Sequence, residues 1–300
     1  MSGGRIIAAL AVAAALSVAP QAARAGSAAP SQVREFEHLA SPALGRDLAY
    51  ALYLPPGYDA GDRRYPTLYL LHGVDGNRQD WLHTGYLRET LDALIADGRV
   101  APMVVVMPDG DNSWYVDSKA VGGPGDYETA IAGDLVTHID ATLRTRADRL
   151  SRGIGGLSMG GFGALRLAFR KPFRYGAAAA FSGALWARVH PDTVLGPRTA
   201  TIFAGAFGTP FDTARFVAES PFAMVDGLAA ARDPPAIFLT VGDHDRFKLY
   251  LDSFQLFERL RELSLPVEMR MTAGDHDWKT WAAELADALL FFDRHFRRQS

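Results

Sequence analysis

Gly156-Leu157-Ser158-Met159-Gly160-Gly161 is the segment that most narrows what this chain can fold into. It follows the short run Gly153-Ile154-Gly155 and opens into Phe162 to Phe169, which reads as a helix. A Gly-x-Ser-x-Gly set between strand and helix predicts a sharp, strained turn that lifts the serine hydroxyl over the edge of a sheet. Glycine at 156 and 160 lets the two elements pass closely, where a Cβ would clash. The backbone N–H groups that begin the helix then face any anion formed beside the serine. The same letters also describe a plain glycine-rich turn with an idle serine, so the rest of the chain has to supply the partners.

Periodicity supplies the frame. Arg46 to Leu54 alternates, with Leu48, Tyr50, Leu52 and Leu54 on one face, and predicts a half-buried antiparallel strand. Pro66 to Leu71, Met103 to Met107, Gly176 to Phe181 and Ala236 to Val241 are continuous apolar runs, as strands buried on both faces require. Val267 to Met271 is a further strand. Helical spacing recurs over Tyr86 to Ala96, Thr129 to Leu143, Leu249 to Leu263 and Trp278 to Phe296. Strands alternating with helices predict an α/β chain, its sheet mostly parallel and covered by helices on both faces. Residues 185–233, rich in Pro, Gly and Ala, are expected to form either a cap insertion beside the sheet edge or plain connecting structure.

Composition sets bounds. The 300 residues are 48% hydrophobic and 22% charged, enough for one large domain over 34–300. A net charge of −3 offers no basic surface for nucleic acid. With no cysteine, disulfides, a thiolate nucleophile and Cys-ligated zinc are excluded. At the N-terminus, Arg5 precedes the apolar run Ile6 to Val18, and Ala23-Arg24-Ala25 fits a small-x-small cleavage site. Residues 1–25 are therefore expected to be a signal peptide and 26–33 a linker. The cleaved product would be periplasmic or secreted, with no membrane anchor.

A reactive serine needs a base, an acid to orient that base, and donors for the oxyanion. His276, in Gly274-Asp275-His276-Asp277-Trp278 beyond the last expected strand, is the best placed of eight histidines, with His244 the runner-up. The acid is expected on Gly242-Asp243-His244-Asp245-Arg246, where Asp245 is favoured because Asp243 sits early enough to cap the turn. Both remain open on spacing alone. Two Asp-His-Asp triplets invite a metal, but neither has the helical spacing of a metal-binding pair, and no metal or cofactor is expected. For the oxyanion, the Met159 amide is one donor, and the Val74 amide in Leu70-Leu71-His72-Gly73-Val74 is its natural partner. His72 either supports that loop or is a satisfied core histidine.

Four motifs in order carry a resemblance: Leu70-Leu71-His72-Gly73 followed by Asp80-Trp81, then Val106-Met107-Pro108-Asp109-Gly110, the Ser158 turn, and Gly274 to Trp278. From about Asp47 onward the chain resembles the esterase family that includes esterase D-like hydrolases, feruloyl and acetylxylan esterases, and mycolyltransferases of the antigen 85 type. The resemblance implies an α/β-hydrolase fold, a Ser158, Asp245, His276 triad, and oxyanion donors at Val74 and Met159. Its Gly-x-x-acid pattern maps onto Gly242 to Asp245. It also implies an ester hydrolase working through an acyl-enzyme on a small-molecule or carbohydrate ester, such as a feruloyl or acetyl ester. Acyl transfer of the mycolyltransferase type and hydrolysis of S-formylglutathione are the alternatives. The expected signal peptide weighs against the glutathione thioester, the substrate of the cytosolic branch. Trp114 and Tyr115, after Met107, are expected either to wall an acyl pocket or to pack as ordinary large side chains.

Overall fold

The computed structural model describes residues 29–186 and 199–297, besides Met1. Apart from that methionine, the expected signal peptide lies outside the described residues. Eight strands form one sheet in the order β1-β2-β4-β3-β5-β6-β7-β8. They are β1 (Gln32–Ser41), β2 (Arg46–Leu54), β3 (Thr67–Leu71), β4 (Val104–Pro108), β5 (Arg152–Leu157), β6 (Ala177–Phe181), β7 (Ala236–Gly242) and β8 (Val267–Thr272). β2 runs antiparallel to both its neighbours, β1 and β4, and β3 to β8 are mutually parallel. The loops leaving these parallel strands therefore gather at one edge, where such sheets bind ligands.

The long apolar runs became these strands because both sheet faces are covered. On one face lie α1 (Asp80–His83), α2 (Leu87–Ala96) and, by chain order the last helix, α10 (Trp278–Arg297). On the other lie α3 (Tyr127–Thr129), a π-helical segment Ala130–Leu135, α4 (Val136–Thr142), α5 (Met159–Arg170) and α9 (Leu249–Glu262). The central strands carry small side chains, which lets α10 approach. A Cβ on Gly153 would come within 2.7 Å of the Phe292 ring, so phenylalanines from the helix fill the space that β5 leaves.

The described part of 185–233 carries three short helices between β6 and β7: α6 (Thr199–Phe203), α7 (Thr213–Glu219) and α8 (Pro221–Ala229). Residues 187–198 lie outside the description. The expected linker is shorter than 26–33, because β1 already begins at Gln32. That strand escaped the apolar pattern because it is a sheet edge whose side chains are largely Arg34, Glu35, Glu37 and His38. Its pairing is with β2 alone, through backbone hydrogen bonds interrupted by an irregularity between Arg34 and Glu37.

Candidate active site

The glycine-flanked serine sits on the turn from β5 into α5, with φ 52° and ψ −116°. Such a conformation strains a side-chain-bearing residue and persists only when its surroundings hold it. They do. The Ser158 amide donates to Phe181 O at 2.9 Å, and the Ser158 carbonyl accepts from Ala184 N at 3.0 Å and Phe162 N at 3.1 Å. A Cβ on Gly156 would stand 2.4 Å from Gly160 O, and one on Gly160 would stand 2.5 Å from Leu71 O. Only glycine allows β3, β5 and α5 to meet this closely.

Three side chains from separate loops join at this edge. Ser158 Oγ is 3.0 Å from His276 Nε2, and His276 Nδ1 is 2.7 Å from Asp245 Oδ2. Asp245 is only 2% exposed, and its other oxygen accepts the Phe247 amide at 2.9 Å. With Nδ1–H donating to the carboxylate, Nε2 is left as the acceptor facing the hydroxyl. The imidazole stands edge-on between Phe247 and Trp281, with ring centroids 4.9 and 5.0 Å away. Of the two expected acids, Asp243 has a different job. It accepts the His244 Nδ1–H at 2.7 Å and the Gly274 amide at 3.0 Å, and these two hydrogen bonds, His244's foremost, hold its carboxyl below the ordinary value. It stitches the β7 loop to the β8 loop. His244 points outward, with 82% of its side chain exposed.

Beside the serine runs the loop after β3. A Cβ on Gly73 would lie 3.5 Å from Ser158 Cβ, and Gly73, Val74 and Ser158 line one cavity. Among the described residues the Val74 amide has no hydrogen-bond acceptor. The Met159 amide is the first of α5 and has none within the helix. His72 does not line the cavity that holds Ser158. Its Nδ1 is 2.7 Å from Gly73 O, and its Nε2 accepts the Gly110 amide at 2.7 Å. Burial pushes this imidazole down, in keeping with a neutral ring.

A cavity of about 330 Å³ opens over Ser158 and His276. Trp114, Trp186, Ile202 and Leu249 give it one apolar wall, and Asp75, Asp80 and Trp278 line another part. The structure separates the two aromatic residues that were expected together. Trp114, itself fully buried, borders the cavity from behind, in a cluster with Phe162 and Phe203, its Nε1–H bound to Ile202 O at 2.9 Å. Tyr115 is fully buried, and its hydroxyl donates to His72 O at 2.9 Å. Tyr115 is packing, not pocket: a Cβ on Gly163 would sit 2.4 Å from its ring. Among the described residues no cluster of His, Asp or Glu is arranged to hold a metal ion. No helix among them is long and apolar enough to cross a membrane.

Two features bear on the site that sequence reading missed: the two-sided bonding of His72, and Trp186. Trp186 sits in the composition-biased stretch, where no periodic pattern marks it.

Comparison with known proteins places this geometry in a family. The family model described as “Putative esterase” matches residues 41–292. An esterase of Mycobacterium tuberculosis is 30% identical over 260 residues, covering 78% of this chain and 53% of that protein. The chain thus spans about half the length of that curated relative. The endo-1,4-beta-xylanase/feruloyl esterase of Xylanibacter ruminicola is 32% identical over 171 residues, 55% of this chain and 23% of that one. Among solved structures, a ferulic acid esterase superposes with a TM-score of 0.74 at 27% identity, over 89% of this chain and 99% of its own. The family match reaches from the end of β1 into the terminal helix and takes in every loop that meets at Ser158: the chain belongs to this esterase family and has the α/β-hydrolase fold.

Proposed function

We propose that the chain is an exported serine esterase that cleaves carboxylic esters through an acyl-enzyme, with Ser158 as nucleophile, His276 as base and Asp245 as the acid that orients it. The observation that carries this reading is the unbroken relay from Ser158 Oγ through His276 to the buried Asp245, at 3.0 and 2.7 Å. His276 Nε2 takes the hydroxyl proton as Ser158 attacks the ester carbonyl, and Asp245 stabilises the imidazolium. The Val74 and Met159 amides receive the oxyanion of the tetrahedral intermediate. As the intermediate collapses, His276 returns the proton to the leaving alcohol. Water then enters, loses a proton to the same nitrogen as it attacks the acyl carbonyl, and the acid leaves as His276 returns that proton to Ser158 Oγ. No cofactor takes part. Export rests on the N-terminal pattern, Arg5 followed by an apolar run and Ala23-Arg24-Ala25.

For the substrate, the apolar wall of Trp114, Trp186, Ile202 and Leu249 suits an aromatic or short aliphatic acyl group. Two solvent-facing carboxylates, Asp75 and Asp80, also border the cavity. They disfavour an anionic leaving group such as glutathione and leave neutral alcohols, including sugars, as the better match. The feruloyl esterases among the similar proteins fit this choice.

The test is a panel of methyl ferulate, p-nitrophenyl acetate and S-formylglutathione, run on the chain and on Ser158→Ala. Ferulate or acetate esters are expected to turn over faster than the thioester. The variant should lose at least ~10³-fold in kcat/KM. An active Ser158→Ala would remove the serine mechanism, and a preference for S-formylglutathione would reverse the substrate assignment.

A further inference from the structure

We propose that His72 is a positioning residue for the oxyanion hole, acting through the peptide unit that joins Gly73 to Val74. The inference rests on the Val74 amide being an oxyanion donor, as set out above. Gly73 C=O and Val74 N–H are the two ends of one planar group, so whatever fixes the carbonyl fixes the direction of the N–H. His72 Nδ1–H donates to that carbonyl at 2.7 Å, and the Gly76 amide reaches it at 3.1 Å. Both acceptor positions of the oxygen are then used, and the plane cannot rotate without losing both bonds. A donor on the carbonyl also polarises the group and strengthens its N–H as a donor, as in any hydrogen-bonded chain.

The ring itself is fixed from the far side. Nε2 accepts the Gly110 amide at 2.7 Å, which requires that Nε2 carry no proton and Nδ1 carry one. Gly110 follows β4, the strand paired with β3, so the bond ties the oxyanion loop to the neighbouring loop of the sheet. Backbone on either side is anchored too, with the Tyr115 hydroxyl on His72 O and the Trp81 indole N–H on Leu71 O. Neither nitrogen of His72 is left for substrate, and the residue does not line the cavity. Its influence on the reaction passes through the Val74 N–H alone.

Two matched variants separate this role from simple core support. An Asn amide reaches the position of Nδ1 and can donate to Gly73 O, but falls short of Gly110. A Gln amide reaches Gly110 and leaves Gly73 O without that donor. His72→Asn is expected to keep kcat within ~10-fold of wild type. His72→Gln is expected to lose ~10² in kcat, with KM within a few-fold, since removal of one oxyanion donor has about that effect. Affinity for an alkyl boronate, whose tetrahedral adduct on Ser158 puts an oxygen in the hole, should fall in step with kcat. If Asn and Gln lower kcat equally, or Gln leaves it unchanged, the inference is wrong. Imidazole ¹⁵N NMR of the wild-type chain needs no variant: Nδ1 protonated and Nε2 bare from pH 5 to 9 is expected, and the opposite tautomer overturns the role. Ser158→Ala, measured alongside, keeps the two readings apart. Activity in that variant defeats the serine esterase itself, whereas an inactive Ser158→Ala with a normal His72→Gln defeats only the role of His72.

Discussion

Asp243 and Asp245 stand two residues apart on one tight turn, and the fold gives them opposite environments. Asp245 is buried against the His276 ring, while Asp243 is part-exposed and bound to a backbone amide of the next loop. Asp245→Asn should therefore lower kcat by up to about 10⁴, because the amide favours the wrong imidazole tautomer while the fold is unchanged. Asp243→Asn should reduce it far less, since it only loosens the stitch to Gly274. A kinetic comparison of the two, with circular dichroism to confirm folding, checks the assignment; a larger loss in Asp243→Asn would exchange their roles. At this scale the sequence was informative wherever chain order decides. Ser158 is set by its glycines and His276 by lying after the last strand. It was uninformative wherever direction decides, because neighbouring residues on a turn point to different sides. Tyr115 is the same lesson: adjacent to Trp114, equally aromatic and equally buried, it reaches His72 O while Trp114 sits behind the cavity with its indole on Ile202 O.

Among the elements, the buried strands were legible because a run such as Val104 to Met107 has few other destinations. The edge strand β1 and the π-helical turn at Ala130–Leu135 were not, since both depend on what lies beside them. The helix α10 holds a quieter exception. Glu284 lies three residues after Trp281 and four before Ala288, on the stripe that faces the sheet, and is only 4% exposed. A carboxyl on an apolar stripe was the available signal. Neither of its oxygens closes a hydrogen bond among the described residues, although Thr240 of β7 and Thr272 of β8 lie near enough to ease its charge somewhat. Burial pushes this carboxyl from an ordinary 4.5 up to about 7. Between those values the folded chain holds a proton that the unfolded chain has released. Stability should thus fall as pH rises from 4.5 through 7, by up to about 3 kcal/mol, with the loss complete above 7. Glu284→Gln should remove this slope and be the more stable protein at pH 8, with little difference at pH 4.5. Urea denaturation at both values tests it; equal wild-type and variant slopes would mean that the carboxyl is relieved in some other way.

Across the whole molecule, one buried cation connects the parts that surround the site. Arg166 of α5, two turns beyond Ser158, is 1% exposed. Its Nη1 pairs with Glu128 of α3 at 2.7 Å and donates to Tyr115 O at 3.2 Å, and its Nε meets Glu219 of α7 at 3.0 Å. Arg170 and Lys171 add further charge around Glu128. Burial alone would raise Glu128, yet the Arg166 and Lys171 cations more than reverse this and hold it below its ordinary value. The partners lie 38 to 53 residues from Arg166 in sequence, so no local pattern could announce them. Replacing the cation removes the one fully buried partner that the two carboxylates share, and leaves them the half-exposed Arg170, with Lys171 on Glu128 alone. Arg166→Met should cost about 3–5 kcal/mol. Adding Glu219→Met should restore part of that loss, because one carboxylate that has lost its buried partner is then gone. Thermal melts of the single and double variants measure the difference, and simple additivity would show that the cluster is screened by water. Glu219 also bears on substrate. Its helix brings Phe216 against Phe203 and Trp114, the ring that walls the cavity. Glu219→Gln removes the charge of this anchor but not the helix. It should raise KM for a feruloyl ester several-fold while leaving acetyl ester turnover near wild type, since only the larger acyl group needs that wall held still. An equal effect on both esters would place the coupling at Ser158 instead of at the wall.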